Sequence, residues 1–528
     1  MRSRDAAAAV PLPRASPLRK GAVVTGRTYR LGAVLLTAAA VALSGCTAGS
    51  DTAQRKGGGG GQSSLSIGFV VEPVNLDFTK TSPAATPQAL LVNVYEGLVK
   101  LNENGNIQPL LARSWTVSPD RKVYDFKLQD GATFTNGAKF TADDVKFSIE
   151  RVQSPEWTSS LKQYMAVVDT VEVVSLTEVR VYLKQPSNNW LFEMTTRIGA
   201  IFSKTGVSDL ANTAIGTGPY RVQKWNRGDS IVLVQNDKYW GRKPAMKTVT
   251  LKYFKDATAL NNALLTGGIN VISTLQTPDT LRQFSRDKRY QVIEGTTNGE
   301  VVLSFNNGRS PLKDKRVRQA ICYAVDRKAV VDTAWGGHGQ LIGSMVPPTD
   351  PWYEDLSDLY PYDPAKARAL LAASGHRKLD LAFRIPNLPY AVSVAQVVKS
   401  QLAQVGVNAK IDVLEFPTRW LDQVFTKYNY DMSVINHVEP RDIQTFGNST
   451  YYWRYDNPQV QHLLATADEG TEQEQVADYK QVARTLAEDA AADWLFLFPN
   501  IMVADKGIGG LPKNAVTEQF DLTTLSRS

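Results

Sequence analysis

The sequence predicts an α/β fold. Two observations carry that expectation. Runs of β-branched and aromatic residues of strand length recur along the chain, and stretches with apolar residues at helical spacing separate them. No fixed-period repeat or heptad run replaces this alternation. Of 528 residues, 43% are apolar and 21% charged, a composition able to bury a core.

In order, Leu65, Ile67 and Phe69 alternate with small residues and open a strand. Residues 88–101 place Leu90, Leu91, Val94, Tyr95 and Leu98 at helical spacing. A strand over 123–128 ends at Asp130-Gly131, a turn dipeptide. Thr141 and Asp144 frame a capping box ahead of Val145, Ile149 and Val152. A hairpin over 171–183, strands over 231–234 and 249–254, and a helix over 258–265 follow. The apolar strand 301–305 precedes a helix capped by Asp314, and Asp363-Pro364 opens another. Strands over 379–385, 409–414 and 430–435 surround a helix over 392–405. Thr471 and Glu474 form a second capping box, and 494–498 is a buried strand.

The amino terminus reads as an address. Residues 1–45 carry seven basic side chains against Asp5 alone, so only +1 of the net +7 falls on the rest of the chain. That near-neutral body excludes a general affinity for nucleic acid. The apolar run 31–43 is shorter than the ~20 residues a membrane helix needs and suits a secretory signal. Leu43-Ser44-Gly45-Cys46 resembles the lipobox of bacterial lipoproteins, which implies a lipid on Cys46 and a membrane-anchored protein. The expected division is a signal peptide over 1–45 and a glycine-rich tether over 46–64 with a span of ~25 Å. Cys46 and Cys322 are the two cysteines, which excludes a disulfide framework; Cys322 is expected to pack in a core.

Four stretches carry a wider resemblance. The first, within 93–151, holds VYEGLVKL, PLLARSWTVSPD and YDFKLQDGATFTNGAKFTADDVKFSIER. The second is Gly216-Thr217-Gly218-Pro219-Tyr220 with a strand ending at Trp225, the glycines being turn residues with no P-loop Lys after them. The third joins Phe305-Asn306-Asn307 and Pro311 to DKRVRQAICYAVDR; the fourth runs from Tyr362-Asp363-Pro364 to Gly375. Together, over about 66–500, they resemble family 5 of the bacterial extracytoplasmic solute-binding proteins, the peptide-, nickel- and oligosaccharide-binding subunits of ABC importers.

The resemblance implies a two-lobed clamshell of the periplasmic-binding-protein type, class II. Lobe I would be 65–295 plus 497–528, with an extra subdomain over about 89–214, and lobe II 304–492. The hinges would lie near 293–300 and 495–499. It implies a monomer outside the cytoplasmic membrane, partnered by a permease and an ATPase, with no cofactor and no catalysis. A secreted hydrolase lacks support, since Gly-x-Ser-x-Gly and His-Glu-x-x-His are both missing. A signalling receptor of the same fold remains an alternative.

For peptide-binding members, the resemblance implies a Trp-x-x-Asp segment whose carboxylate takes the peptide amino group. Here the segment reads Asn436-His437-Val438-Glu439-Pro440-Arg441-Asp442. His437 replaces the tryptophan, Glu439 comes one residue early and Asp442 two late. Glu439 is the first candidate anchor and Asp442 the second; a local ion pair among Glu439, Arg441 and Asp442 is the structural alternative. His437, Glu439 and Asp442 are possible metal ligands, but the four histidines form no close pair and no direct metal site is expected. A nickel chelate or an oligosaccharide stays open beside the peptide reading. Trp352 and Trp453 are candidate stacking platforms. The basic run 313–318 is expected to be a solvated or ion-paired face.

Overall fold

The computed structural model describes residues 63–80, 84–158 and 160–528; the expected signal peptide, Cys46 and most of the expected tether lie outside the described residues. Two large sheets organise the rest. The first has seven strands in the order Tyr290–Gly295, Asn500–Asp505, Val271–Ile272, Ser64–Phe69, Thr248–Tyr253, Ser230–Gln235 and Tyr220–Asn226. Its central strand Ser64–Phe69 pairs in parallel with both neighbours. Alternate residues serve opposite faces: Met502 and Ala504 join one core, Ile501 and Val503 another.

The second sheet has five strands in the order Val407–Leu414, Leu379–Pro386, Met432–His437, Glu300–Phe305 and Ala492–Leu497. Val301, Leu303 and Phe305 face one core and Val302 the other. Both faces of this strand are covered, which is why it reads as apolar apart from Glu300 and Ser304. A four-stranded antiparallel sheet, Ala112–Val117, Val123–Leu128, Glu178–Leu183 and Val168–Ser175, shares the first sheet's core.

The chain passes between the two large sheets twice, from Gly295 to Glu300 and from Leu497 to Asn500. The passages are tied together. Thr297 Oγ1 donates to the Phe498 carbonyl at 2.7 Å, and the Phe498 amide donates to the Gly299 carbonyl at 2.7 Å.

Helix starts follow their caps. Thr141 and Asp144 form the expected box, as do Thr471 and Glu474, and Asp314 and Asp363 accept first-turn amides. Gly216 and Gly218 are close-approach glycines: a Cβ on Gly216 would lie 1.9 Å from the Val94 carbonyl oxygen.

Two expectations need correction. The helix read over 88–101 is Ala85–Leu90 and stops there. Val92 adopts a left-handed conformation, Asn93 Nδ2 donates to the Phe520 carbonyl, and Glu96 accepts from Thr217, Tyr239 and Trp240. Leu90, Leu91, Val94, Tyr95 and Leu98 are buried in any case, so the spacing reported burial on all sides and not one helical face. The basic run 313–318 is the expected ion-paired face except at Arg318. Lys315 and Arg316 pair with Asp489 and Asp314 on the surface, whereas Arg318 is buried. Arg318 donates to the carbonyls of Leu312, Lys313, Asp489 and Ala490. It thereby closes the end of helix Glu472–Glu488 against the loop before its own helix. Cys322 is buried in the core beside it.

Arg318→Met fills similar volume but leaves those buried carbonyls without a donor. At roughly 1–3 kcal/mol for an unmet buried group, the loss should reach about 2–4 kcal/mol. A urea unfolding curve checks it; an unchanged midpoint would remove Arg318 from the fold's supports.

Candidate functional site

The site grows from the strand pair Glu300–Phe305 and Met432–His437. Their antiparallel register sets Glu300 directly opposite His437, at the end where the chain has just crossed between the sheets. Beyond His437 the chain turns sharply. Arg441 takes a left-handed conformation with φ 58°, and a 3₁₀ turn, Asp442–Gly447, follows. The turn folds Asp442 back toward its own strand, with Oδ2 3.4 Å from His437 Nδ1. Glu439, on the loop between, is exposed.

His437 is held from behind. Its Nε2 and the Tyr452 hydroxyl are 2.8 Å apart, and that hydroxyl lies 2.8 Å from Ser304 Oγ. Burial pushes the imidazole pKa down to about 3, so the ring is neutral. One of its ring nitrogens and one oxygen each from Glu439 and Asp442 lie within 4.8 Å of one another. The structure thus gathers three possible ligands that the spacing of the histidines argued against.

Carboxyl groups dominate the surroundings. Glu300 Oε2 and Asp442 Oδ2 are buried and make no hydrogen bond among the described residues. Burial raises Glu300 well above the usual range, and Asp442, Asp350 and Glu439 push it further. Burial raises Asp442 likewise, with Glu439 and Asp350 adding to it. Asp350 is pushed up to about 6 by burial, against the pull of Arg441.

Arg441 does not pair with Glu439 or Asp442, so the local ion pair is not what the loop forms. Its guanidinium lies 3.6 Å from the ring centre of Phe192 and 4.8 Å from that of Trp352. Phe192 belongs to helix Asn188–Glu193, packed with the first sheet's core, and Trp352 to the second. Arg441 therefore bridges the two halves by cation–π contact. Glu193 sits beside it, pushed up to about 8 by burial with Arg441 opposing.

Of the other candidates, Asn436 lies next to the crossing, where its side chain abuts Gly299. The two tryptophans correct the sequence reading. Trp352 stacks on Tyr479 with ring centres 4.4 Å apart, and Trp453 on Phe446 at 4.7 Å and 5°. Both are fully buried, so they brace the loop and offer no open platform. Sequence reasoning missed Glu300, Asp350 and Glu193. For Glu300 a signal existed: a carboxylate opens an otherwise apolar strand that is buried throughout. Asp350 and Glu193 carried none.

Two lobes, each on its own sheet, are joined by two crossings, and polar groups collect where the lobes meet. That is the architecture of a protein that traps a solute by closing over it. The chain belongs to the bacterial extracellular solute-binding proteins of family 5, whose middle-region model matches residues 106–459. It is the substrate-binding component of an ABC importer, works outside the cytoplasmic membrane with permease and ATPase partners, and is not an enzyme.

The chain is 26% identical over 504 residues to the probable D,D-dipeptide-binding periplasmic protein DdpA of Escherichia coli, covering 88% of this chain and 94% of that protein. It is 30% identical over 350 residues to the nickel-binding periplasmic protein of the same organism, covering 60% and 65%. Among solved structures, NikA of Brucella suis in complex with Fe(III)-EDTA superposes with a TM-score of 0.78 at 25% identity, covering 88% and 100%. DppA of Helicobacter pylori in complex with the peptide STSA gives 0.76 at 22%, covering 88% and 98%, a likeness of fold. No helix among the described residues is long and apolar enough to cross a membrane.

The raised Glu193 sets a pH dependence. Its folded pKa of about 8 exceeds the ordinary 4.5, so the folded state holds the proton more tightly. Its contribution to stability is full below pH 4.5 and lost as pH rises through 8. Glu193→Gln should flatten that decline and leave the variant more stable than the parent at pH 8. Thermal unfolding at pH 5 and pH 8 reads the difference; parallel curves would contradict it.

Proposed function

We propose that this protein captures short peptides with a free amino terminus and hands them to its permease. The observation that carries the reading is Asp442 Oδ2, a buried carboxylate oxygen with no hydrogen-bond partner among the described residues. It lies where the lobes meet, beside the equally unpartnered Glu300 Oε2. A buried carboxylate gains most from a cation that can also donate hydrogen bonds, and an ammonium does both, contributing ~1.5–3 kcal/mol. Asp442 is the anchor in this reading, and exposed Glu439 guides the amine toward it. The solute contacts both lobes and so favours the closed state. The dipeptide- and peptide-binding names among the relatives support this class of solute.

The lobes in this proposal divide as the sequence suggests, at 293–300 and 495–499, with 89–214 as a subdomain of the first. The protein acts as a monomer, tethered by a lipid on Cys46 through the glycine-rich segment.

A second reading has its own support. His437, Glu439 and Asp442 stand close enough to hold one first-row divalent cation, with His437 Nε2 fixed by Tyr452. The solute would then be a metal chelate, as the nickel-binding relative's name suggests.

Calorimetry with trialanine and N-acetyl-trialanine separates the readings. Asp442→Asn should weaken trialanine by roughly 10- to 100-fold and leave the acetylated peptide's weaker binding unchanged. Equal losses for both peptides would remove the amine anchor. Tight binding of Ni²⁺ with histidine, with neither peptide bound, would replace the reading by the chelate. Separately, Cys46→Ala should release the protein from membranes or leave it unprocessed; full membrane retention would sink the lipid tether.

A further inference from the structure

Beside the Arg441 contact, and on the same helix Asn188–Glu193, the two lobes meet through a second, polar contact. Helix Asn188–Glu193 belongs to the first lobe and helix Pro458–Glu469 to the second. The start of the shorter helix meets the end of the longer one, and each supplies what the other's terminus lacks. Asp468, in the last turn of the longer helix, accepts from the Asn189 amide at 2.9 Å and from Ser187 Oγ at 2.9 Å. In return, Asn188 Nδ2 donates to the carbonyls of Ala467 and Gly470, at 2.9 and 2.7 Å. Arg121, from the turn before strand Val123–Leu128, donates to the carbonyls of Glu469 and Gly470. Gln185 adds a hydrogen bond to Glu469 at 2.9 Å.

Helix ends leave amides and carbonyls without intrahelical partners, and opposite charges are favoured at the two ends. Here both needs are met across the lobe boundary. None of these bonds involves Glu300, His437, Glu439 or Asp442. The contact needs no group from a solute. It is also polar throughout, so parting the lobes returns each group to water at small cost.

We propose that this reciprocal helix-end contact is a latch that holds the lobes together independently of the solute, with Arg121, Asn188 and Asp468 as positioning residues. Solute affinity then depends on the latch as well as on the cleft, since the fraction of closed protein scales the apparent dissociation constant.

The Asn189 amide makes a direct test. As an early amide of its helix it has no intrahelical partner, so its protection from hydrogen exchange reports Asp468 alone. Exchange is followed by mass spectrometry on the whole chain without added solute. The Asn189 amide should be protected in the parent and lose protection roughly tenfold or more in both Asp468→Ala and Arg121→Ala. Strand Glu300–Phe305 should stay protected throughout. Fast exchange of the Asn189 amide in the parent would overturn the proposal, and so would protection kept in both variants. Should a variant also expose the strand, Gln185→Ala, which removes one hydrogen bond to Glu469, decides by the same criterion. None of this depends on the identity of the solute, so the latch stands or falls apart from the peptide reading.

Discussion

The pairing of Glu300 with His437 is the constraint from which the site follows. The register puts a carboxyl at the first position of a strand buried on both faces, immediately after the chain crosses between lobes. A charge there is expensive unless something opposes it. The loop after His437 brings no opposing charge. It brings Asp442, a second carboxyl, and aims Arg441 at two rings instead. Burial and mutual repulsion therefore make both carboxyls harder to ionise, and a cationic partner favours their charged form. Affinity for a cation and local acidity are thus one property of the site.

Much of the fold was legible because most elements obey one rule at a time. Strand 301–305 is apolar except for Ser304 and covered on both sides, and helices starting at Thr141, Asp314 and Thr471 carry their own caps. Residues 88–101 misled because a segment buried all round satisfies helical spacing by accident. Its true conformation rests on Asn93 bonding Phe520 and Leu522, more than four hundred residues away.

Of the candidate site, the segment was legible and its contacts were not. Within 436–442, Arg441 reaches Phe192 of the first lobe. The orientation of Arg441 depends on Phe192 and Trp352, and that of His437 on Tyr452 and Ser304. No local pattern encodes partners so distant. The aromatic cluster around Trp453 looked like a binding platform because stacked rings serve cores and ligands equally; here Phe446 occupies its face. Glu300 was readable in principle, as the one charged residue in its strand, but its importance shows only when Asp442 and Asp350 come near.

The bonds that tie the two crossings also govern how the molecule can move. Thr297 to Phe498 and Phe498 to Gly299 turn two separate linkers into one short ribbon. Two free linkers would let the lobes slide, twist and swing. A bonded ribbon resists sliding and leaves chiefly a swing about its own line. The mouth of the cleft therefore widens on the side away from the ribbon, and a solute must arrive there. A molecule too large for the closed space meets a jaw that stays ajar and cannot shear around it, so size is judged by whether the swing completes.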